Sequence, residues 1–443
     1  MSSNQYFNYT TSINYRHVLS NPSIKDLYQK CQKYKNNVFN TSQVYNYKTV
    51  YSIGDVHGDF KALIQILYGI NCIVYKNNAI YWNPQLKDTC IIQVGDIMDG
   101  YKLNVQKYPS YTSQDFKIIK LLLDLNDEAI KYNSRIILLY GNHEIFNLFK
   151  LIDKIKIYDY RNSIKNNTLI EAQEYLRRIQ YFKDRIMCNY QSFCIVNNYV
   201  FCHSGIVLKY IKKLLEIYKI NFKNFINLQV NDKIFLINIC IVSMINYILT
   251  GKLNKQYVDI LRTLIINIFY HNNYINISYN VKKLSESAKF KLTKDVMKNN
   301  LLLNTKGMII GHHTTYNYQI NNINDLWGID VKLSERYGKE LVNDVYQILK
   351  ISGNNKPEII NIKNKFKNVI NNKINNRKVN IKSTDTKQIN KSINNKISDT
   401  KQINKSINNK ISGGKTINKI IDTKPINKPV NKSFRSKSIN NKK

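Results

Sequence analysis

Five short segments, each closing an apolar run, constrain this chain more than any other feature. They read GDVHG (Gly54–Gly58), GDIMDG (Gly95–Gly100), GNHE (Gly141–Glu144), CHSG (Cys202–Gly205) and GHH (Gly311–His313). The runs ahead of them are Val50–Ile53, Cys90–Val94, Ile136–Tyr140, the second arm of a hairpin over Gln191–His203, and Lys306–Ile310. Short apolar runs that stop at turn residues read as strands, and Asn197-Asn198 is a hairpin turn signal. Phe60–Tyr68 and Asp115–Tyr132 have helical periodicity. Leu326–Val331 and Val345–Ile351 complete the strand set, and residues 210–300 read as a mainly helical insertion. The alternation predicts a layered α/β domain. In such folds the strand ends gather on one sheet edge, where ligands bind. The glycines let the backbone turn sharply where a side chain must aim inward.

The residue types in these loops are metal ligands. The chain has seven His, and five of them sit here. A single His or a single Gly-Asp turn is as often structural as functional, but five such loops in register are not explained by packing. Carboxylate, imidazole and amide oxygen suit Mn, Fe or Zn, and a donor set without Cys argues against a structural zinc site. Asp96 reads as a bridge, one carboxylate oxygen to each of two divalent ions. Two ions about 3.5–4 Å apart hold a phosphate, acidify a water and steady an in-line displacement, so the expected chemistry is phosphoester hydrolysis.

In this order the loops resemble the calcineurin-like metallophosphoesterases. GNHE and the segment LWGIDVKLSERYG (Leu326–Gly338) look most like the phosphoprotein phosphatase branch, particularly its bacterial-like Shewanella-type members. The resemblance spans roughly Tyr47–Ile351. It implies the metallophosphoesterase fold, a layered α/β arrangement with a β-sandwich flanked by helices. It implies that Asp55, His57 and Asp96 hold a first metal, and that Asp96, Asn142, His203 and His312 hold a second. His143 would protonate the leaving oxygen, with Asp99 orienting it. His313 follows His312 directly, so its ring is expected to point elsewhere, and Glu144 reads as a helix-start residue. Gly100 and Tyr140 stand where the branch usually has phosphate-gripping arginines, leaving Lys102, Arg161 and Arg185 as candidate substitutes. The implied activity is a phosphatase of serine/threonine type acting on phosphoprotein, with manganese as the expected metal. The alternative is a nucleotide or dinucleoside-polyphosphate hydrolase on the same metal core. A catalytically silent binding protein fits poorly with intact ligands and an intact His143.

Composition adds a tail. The net charge is +37, and Ile351–Lys443 carries 23 Lys plus Arg against 4 Asp plus Glu. There DTKQINKSINNKIS occurs twice in succession, at Asp385–Ser398 and Asp399–Ser412. Isolated Ile among Asn and Lys cannot bury enough surface to offset chain entropy, so the tail is expected to be disordered. It is also a candidate for non-specific contact with nucleic acid or another polyanion. The expected division is an N-terminal extension over 1–46, a catalytic domain over 47–352 and the tail over 353–443. The abundance of Lys, Asn, Ile and Tyr points to an AT-rich coding source, such as a large DNA virus or a protist, so Lys excess alone says little. Seven cysteines without CxxC or regular spacing argue against a disulfide framework and for a reducing, cytoplasmic setting, in a host cell or virion if viral. The polar N-terminus lacks an export signal. The apolar run Ile234–Leu249, interrupted by Asn238 and Asn246, reads as a buried helix rather than a membrane span.

Overall fold

The computed structural model describes residues 18, 20–77, 79–99, 114–151, 168–250, 255–271, 273–278, 283–333 and 345–363. Gly100, Lys102, Arg161 and the repeats of the tail lie outside these residues.

The helices are α1 (Pro22–Cys31), α2 (Val38–Thr41), α3 (Phe60–Gly69), α4 (Asp115–Ala129), α5 (Asn142–Lys150), α6 (Thr168–Asn189), α7 (Leu208–Ile217), α8 (Phe222–Ile226), α9 (Val230–Thr250), α10 (Lys255–Phe269) and α11 (Glu286–Leu303). The strands are β1 (Val44–Tyr45), β2 (Thr49–Ile53), β3 (Ile73–Lys76), β4 (Ala79–Trp82), β5 (Thr89–Gln93), β6 (Arg135–Leu138), β7 (Phe193–Val196), β8 (Tyr199–Cys202), β9 (Gly307–Ile310), β10 (Asn321–Ile323), β11 (Leu326–Gly328), β12 (Val345–Ser352) and β13 (Glu358–Lys363). One sheet runs β13-β12-β2-β5-β6 and another β1-β7-β8-β9-β11-β10, with β3-β4 as a separate hairpin.

The topology sets the site. In the first sheet β2, β5 and β6 are parallel neighbours, so Gly54, Gly95 and Gly141 leave from the same end. In the second, β8 and β9 are parallel, which brings Cys202-His203 level with Ile310 and the GHH loop. Five-residue β5 is buried throughout, as a central parallel strand covered on both faces must be. The β7–β8 turn has Asn197 and Asn198 both at positive φ (50° and 65°), the geometry a two-residue hairpin loop demands. Asp59 caps α3 by accepting from Ala62 N at 2.9 Å, which fixes the helix directly after the GDVHG loop.

Four findings differ from the sequence reading. The segment before Tyr47 is part of the fold: β1 pairs with β7, and α1 packs on α9. The fold also continues past Gly353, because β13 pairs along β12 from Glu358 to Lys363. Ile360 and Ile362, two apart on one face of β13, turn inward, with Ile362 buried. The strand expected over Leu326–Val331 stops at Gly328, and Ile329-Asp330 turns toward the loops. Finally, Cys31 at the end of α1 is disulfide-bonded to Cys188 in α6, against the expectation from spacing; the partners are 157 residues apart and meet only through helix packing. Cys72, Cys90, Cys194, Cys202 and Cys240 are buried free thiols.

Helix α9 is long and apolar enough to cross a membrane by length and composition, yet 78% of its most apolar stretch is buried in the protein. It packs against α1, α7 and α10. Asn238 sits inside this contact because its amide is spoken for: Oδ1 accepts from Ser192 N at 2.7 Å and Nδ2 donates to Phe193 O at 2.9 Å.

Candidate metal centre

The five loops converge on Asp96, whose carboxylate lies between two groups of imidazoles. One oxygen, Oδ2, lies 3.9 Å from His57 Nε2 and 3.7 Å from His143 Nε2. The other, Oδ1, lies 3.4 Å from His203 Nε2. Candidate ligand atoms of His57, Asp96 and His143 all fall within 4.8 Å of one another, and so do those of Asp96, His203 and His312. Asn142 Oδ1 is 2.9 Å from His203 Nε2, which places the amide beside the second group. Asp55 enters the centre from the end of β2, and both its oxygens accept from the backbone N–H of His312 at 3.3 and 3.2 Å, outside both ligand groups.

The ring orientations are those of ligands. His57 Nδ1 lies 3.1 Å from Met98 O and His203 Nδ1 lies 2.9 Å from Val94 O. A backbone carbonyl at Nδ1 fixes the proton there and leaves Nε2 with its lone pair facing Asp96, the usual second contact of a metal-binding histidine. The electrostatics also call for a cation. Burial, then the nearby carboxylates of Asp330 and Asp96, pushes the Asp55 carboxyl well above its ordinary range. Burial opposes ionisation at Asp96 too, but the imidazoles of His143, His203 and His57 hold its carboxyl well below that range. Burial, then His203 and His313, drives His312 down to about 2, so its ring is neutral and able to bind a metal. The residues present therefore fit divalent cations in donor type, orientation and charge.

Backbone geometry is unusual at this edge. His57 (φ 41°), Asp96 (φ 54°), Asp99 (φ 71°) and His312 (φ 61°) are all left-handed, a conformation that costs non-glycine residues free energy and collects at functional sites. Gly141 shows why small residues flank them: a methyl group there would sit 2.2 Å from Asp96 Oδ1.

His143 and Asp99 form the expected pair, with Nδ1 2.5 Å from Asp99 Oδ2. His143 is partly open to solvent while Asp96, Asp99 and His203 are buried. Since Nε2 of His143 is as near Asp96 as that of His57, geometry alone leaves it placed for a proton or for a metal.

The sequence reading gave Glu144 only a helix-start role and gave Asp115, Asp330 and His271 none. Glu144 does start α5, accepting from Gly141 N at 2.7 Å, but it also accepts from Asp96 N at 2.9 Å and Met98 N at 3.0 Å. It thereby clamps the GDIMDG loop to the GNHE loop. Burial, then Asp96, pushes its carboxyl up to about 7. Asp115, the first residue of α4, accepts from Asp99 N at 2.9 Å and holds that loop from the other side. Asp330 lies within the quoted LWGIDVKLSERYG segment and takes the Thr314 hydroxyl at 2.8 Å. His271, outside every loop motif, is buried with Nε2 3.3 Å from Gly205 O. His313 is buried beside His312 and stands outside both ligand groups. Tyr140 is a core residue: its hydroxyl donates to Ile186 O at 3.2 Å and its ring packs on Tyr190 and Phe269. Arg185 lies over the Phe182 ring in α6.

Residues 48–238 match the calcineurin-like phosphoesterase family. Shewanella-like protein phosphatase 1 of Plasmodium berghei is 29% identical over 184 residues, 42% of this chain and 46% of that protein. A Schizosaccharomyces pombe protein is 31% identical over 100 residues, 22% of this chain and 25% of its own length. The chain thus spans less than half the length of these curated relatives. Among solved structures, a cold-active protein-tyrosine phosphatase of a psychrophilic Shewanella species is 15% identical, with a TM-score of 0.43 over 72% of this chain and 82% of that one. A protein serine/threonine phosphatase of Saccharomyces cerevisiae is 12% identical, with a TM-score of 0.39 over 81% of this chain and 93% of that one. The family match and the five convergent loops thus identify a calcineurin-like phosphoesterase domain over residues 48–238, similar in part to a Shewanella-like protein phosphatase.

Proposed function

We propose that the protein hydrolyses phosphoesters, with phosphoprotein as substrate, at a centre holding two divalent cations. The observation that carries this reading is the placement of Asp96, which offers one oxygen to each of two imidazole groups. Asp55, His57 and Asp96 would hold one cation; Asp96, Asn142, His203 and His312 would hold the other. Bound there, such cations supply charge for the phosphate and lower the pKa of a water. His143 gives its Nε2 proton to the leaving oxygen, because Asp99 on Nδ1 favours the imidazolium and fixes the ring. Glu144 and Asp115 keep Asp96 and Asp99 in place through backbone N–H groups.

Nucleotide or dinucleoside-polyphosphate hydrolysis is the second reading. It is favoured by Tyr140, a buried phenol where the phosphatases that the loops resemble would be expected to carry a phosphate-gripping arginine. Release of p-nitrophenol from p-nitrophenyl phosphate with added Mn(II), abolished by a chelator, tests the hydrolase. Phosphopeptides, nucleotides and capped RNA, compared by kcat/KM, then separate the two substrates. Undiminished turnover after exhaustive chelation and dialysis would remove the metal mechanism.

A further inference from the structure

We propose that Tyr270 and Phe146 form a stacking subsite beside the candidate centre, and that it receives the flat ring of an aromatic phosphoester. The proposal rests on the hydrolase reading and adds a substrate class to it. Tyr270 follows α10, in the helical segment between β8 and β9, and Phe146 lies on α5 one turn beyond His143. The Tyr270 ring meets His312 edge-on at 5.1 Å and Phe146 at 5.8 Å, and Phe146 lies 6.4 Å from His143. The two rings therefore bridge the gap between the His203–His312 group and the His57–His143 group.

Their exposure is the second observation. Tyr270 is 48% exposed although both sequence neighbours, Phe269 and His271, are buried. Phe146 is partly exposed between buried Ile145 and Asn147. An aromatic pair left open against water next to a reactive centre offers apolar faces to whatever group carries the phosphate. A phenyl or nucleobase ring can stack on Tyr270, whereas the single methylene of a phosphoserine cannot reach across it. The shared chemistry is a flat ring bonded near the phosphate, found both in phosphotyrosine and in nucleotides.

The test uses the full chain loaded with Mn(II). One peptide carrying phosphotyrosine, the same peptide carrying phosphoserine, and AMP are compared by kcat and KM. Binding of phenylphosphonate and methylphosphonate is measured by calorimetry. The expected result is an aromatic preference of roughly 10-fold in KM and in phosphonate Kd, the scale of one ring–ring stack. Tyr270→Ala should erase that preference, and Tyr270→Phe should keep it, since the ring rather than the hydroxyl acts. Preference for the phosphotyrosine peptide would name a phenol ring, and preference for AMP a nucleobase. If Tyr270→Ala lowers turnover of all substrates equally, or the wild type shows no aromatic preference, the subsite is refuted while the hydrolase stands. If the wild type turns over none of them, the hydrolase reading fails and the subsite falls with it.

Discussion

Replacing His143 and Asp99, singly and together, separates proton transfer from metal binding. The structure places His143 Nδ1 2.5 Å from Asp99 Oδ2 and its Nε2 3.7 Å from Asp96 Oδ2. If His143 is the general acid, His143→Asn should lower kcat by roughly 10²–10⁴-fold on a poor leaving group such as an alkyl phosphate. A p-nitrophenolate leaves without much protonation and should lose far less. Asp99→Asn removes the charge from one hydrogen bond, worth about 1.5–3 kcal/mol, so the loss should be roughly 10–150-fold. Asp99 acts through His143, and the double variant should therefore be no slower than His143→Asn alone. Both single variants should retain their bound metal, while Asp96→Asn should lose it. The assay is steady-state kinetics on a leaving-group series, beside elemental analysis of the purified proteins. Metal-free His143→Asn would show that the imidazole is a ligand, and fully multiplicative losses would show that Asp99 works independently of it.

Gly141→Ala should lose metal and activity together, because its methyl group would meet Asp96 Oδ1 at 2.2 Å and displace that carboxylate; normal metal content in that variant would contradict the close approach. Acid should destabilise the metal-free protein through His271, which burial, against a bond to Gly205, holds down to about 4. Its pKa is lower folded than unfolded, so stability is full above pH 6.5 and falls as the unfolded chain takes up the proton, by about 2 kcal/mol at pH 5. Urea titrations at pH 7.5 and 5.0 should show a smaller fall for His271→Gln, and equal falls would exclude this histidine. We propose that the basic tail binds polyanions: removing residues 364–443, which spares β13, should leave small-substrate turnover intact and reduce both the affinity for RNA and its salt dependence. Matching salt slopes with and without the tail would leave it no such role.

The site was readable because each loop couples two local signals, an apolar run and a glycine beside a ligand-type side chain. β2, β5, β6, β8 and β9 all end at the loops so marked. What the sequence hid depends on tertiary pairing. β1 is two residues long and finds its partner about 150 positions away, so no periodicity announces it. Cys31 and Cys188 meet through helix packing that spacing cannot show. By composition β13 reads as tail, because its Lys and Asn match the residues beyond it, yet its length suffices to pair residue by residue with β12. His271 and Tyr270 sit after an ordinary amphipathic helix. Their role comes from where α10 ends, and that is set by its packing on α5, α7 and α9.

The same point explains the asparagines, whose abundance looked like coding bias alone. A buried primary amide has two donors and an oxygen with two lone pairs, and it is costly unless these are used. Here several are used to join segments that no sheet joins. Asn197 accepts from Tyr47 N at 2.8 Å and donates to Tyr47 O at 2.7 Å and Gly353 O at 2.6 Å, tying the hairpin turn to both flanks of the β2–β12 pair. Asn246 accepts from Lys30 at 2.6 Å and donates to Asp26 at 2.9 Å, docking α1 on α9. Asn126 accepts from Ile136 N at 2.9 Å and so fixes the start of β6 against α4. A codon bias toward Asn would scatter amides over the surface. Amides with partners on distant segments instead do the work of missing strand pairs, joining the hairpin turn to the flanks of β2 and β12, α1 to α9, and α4 to β6.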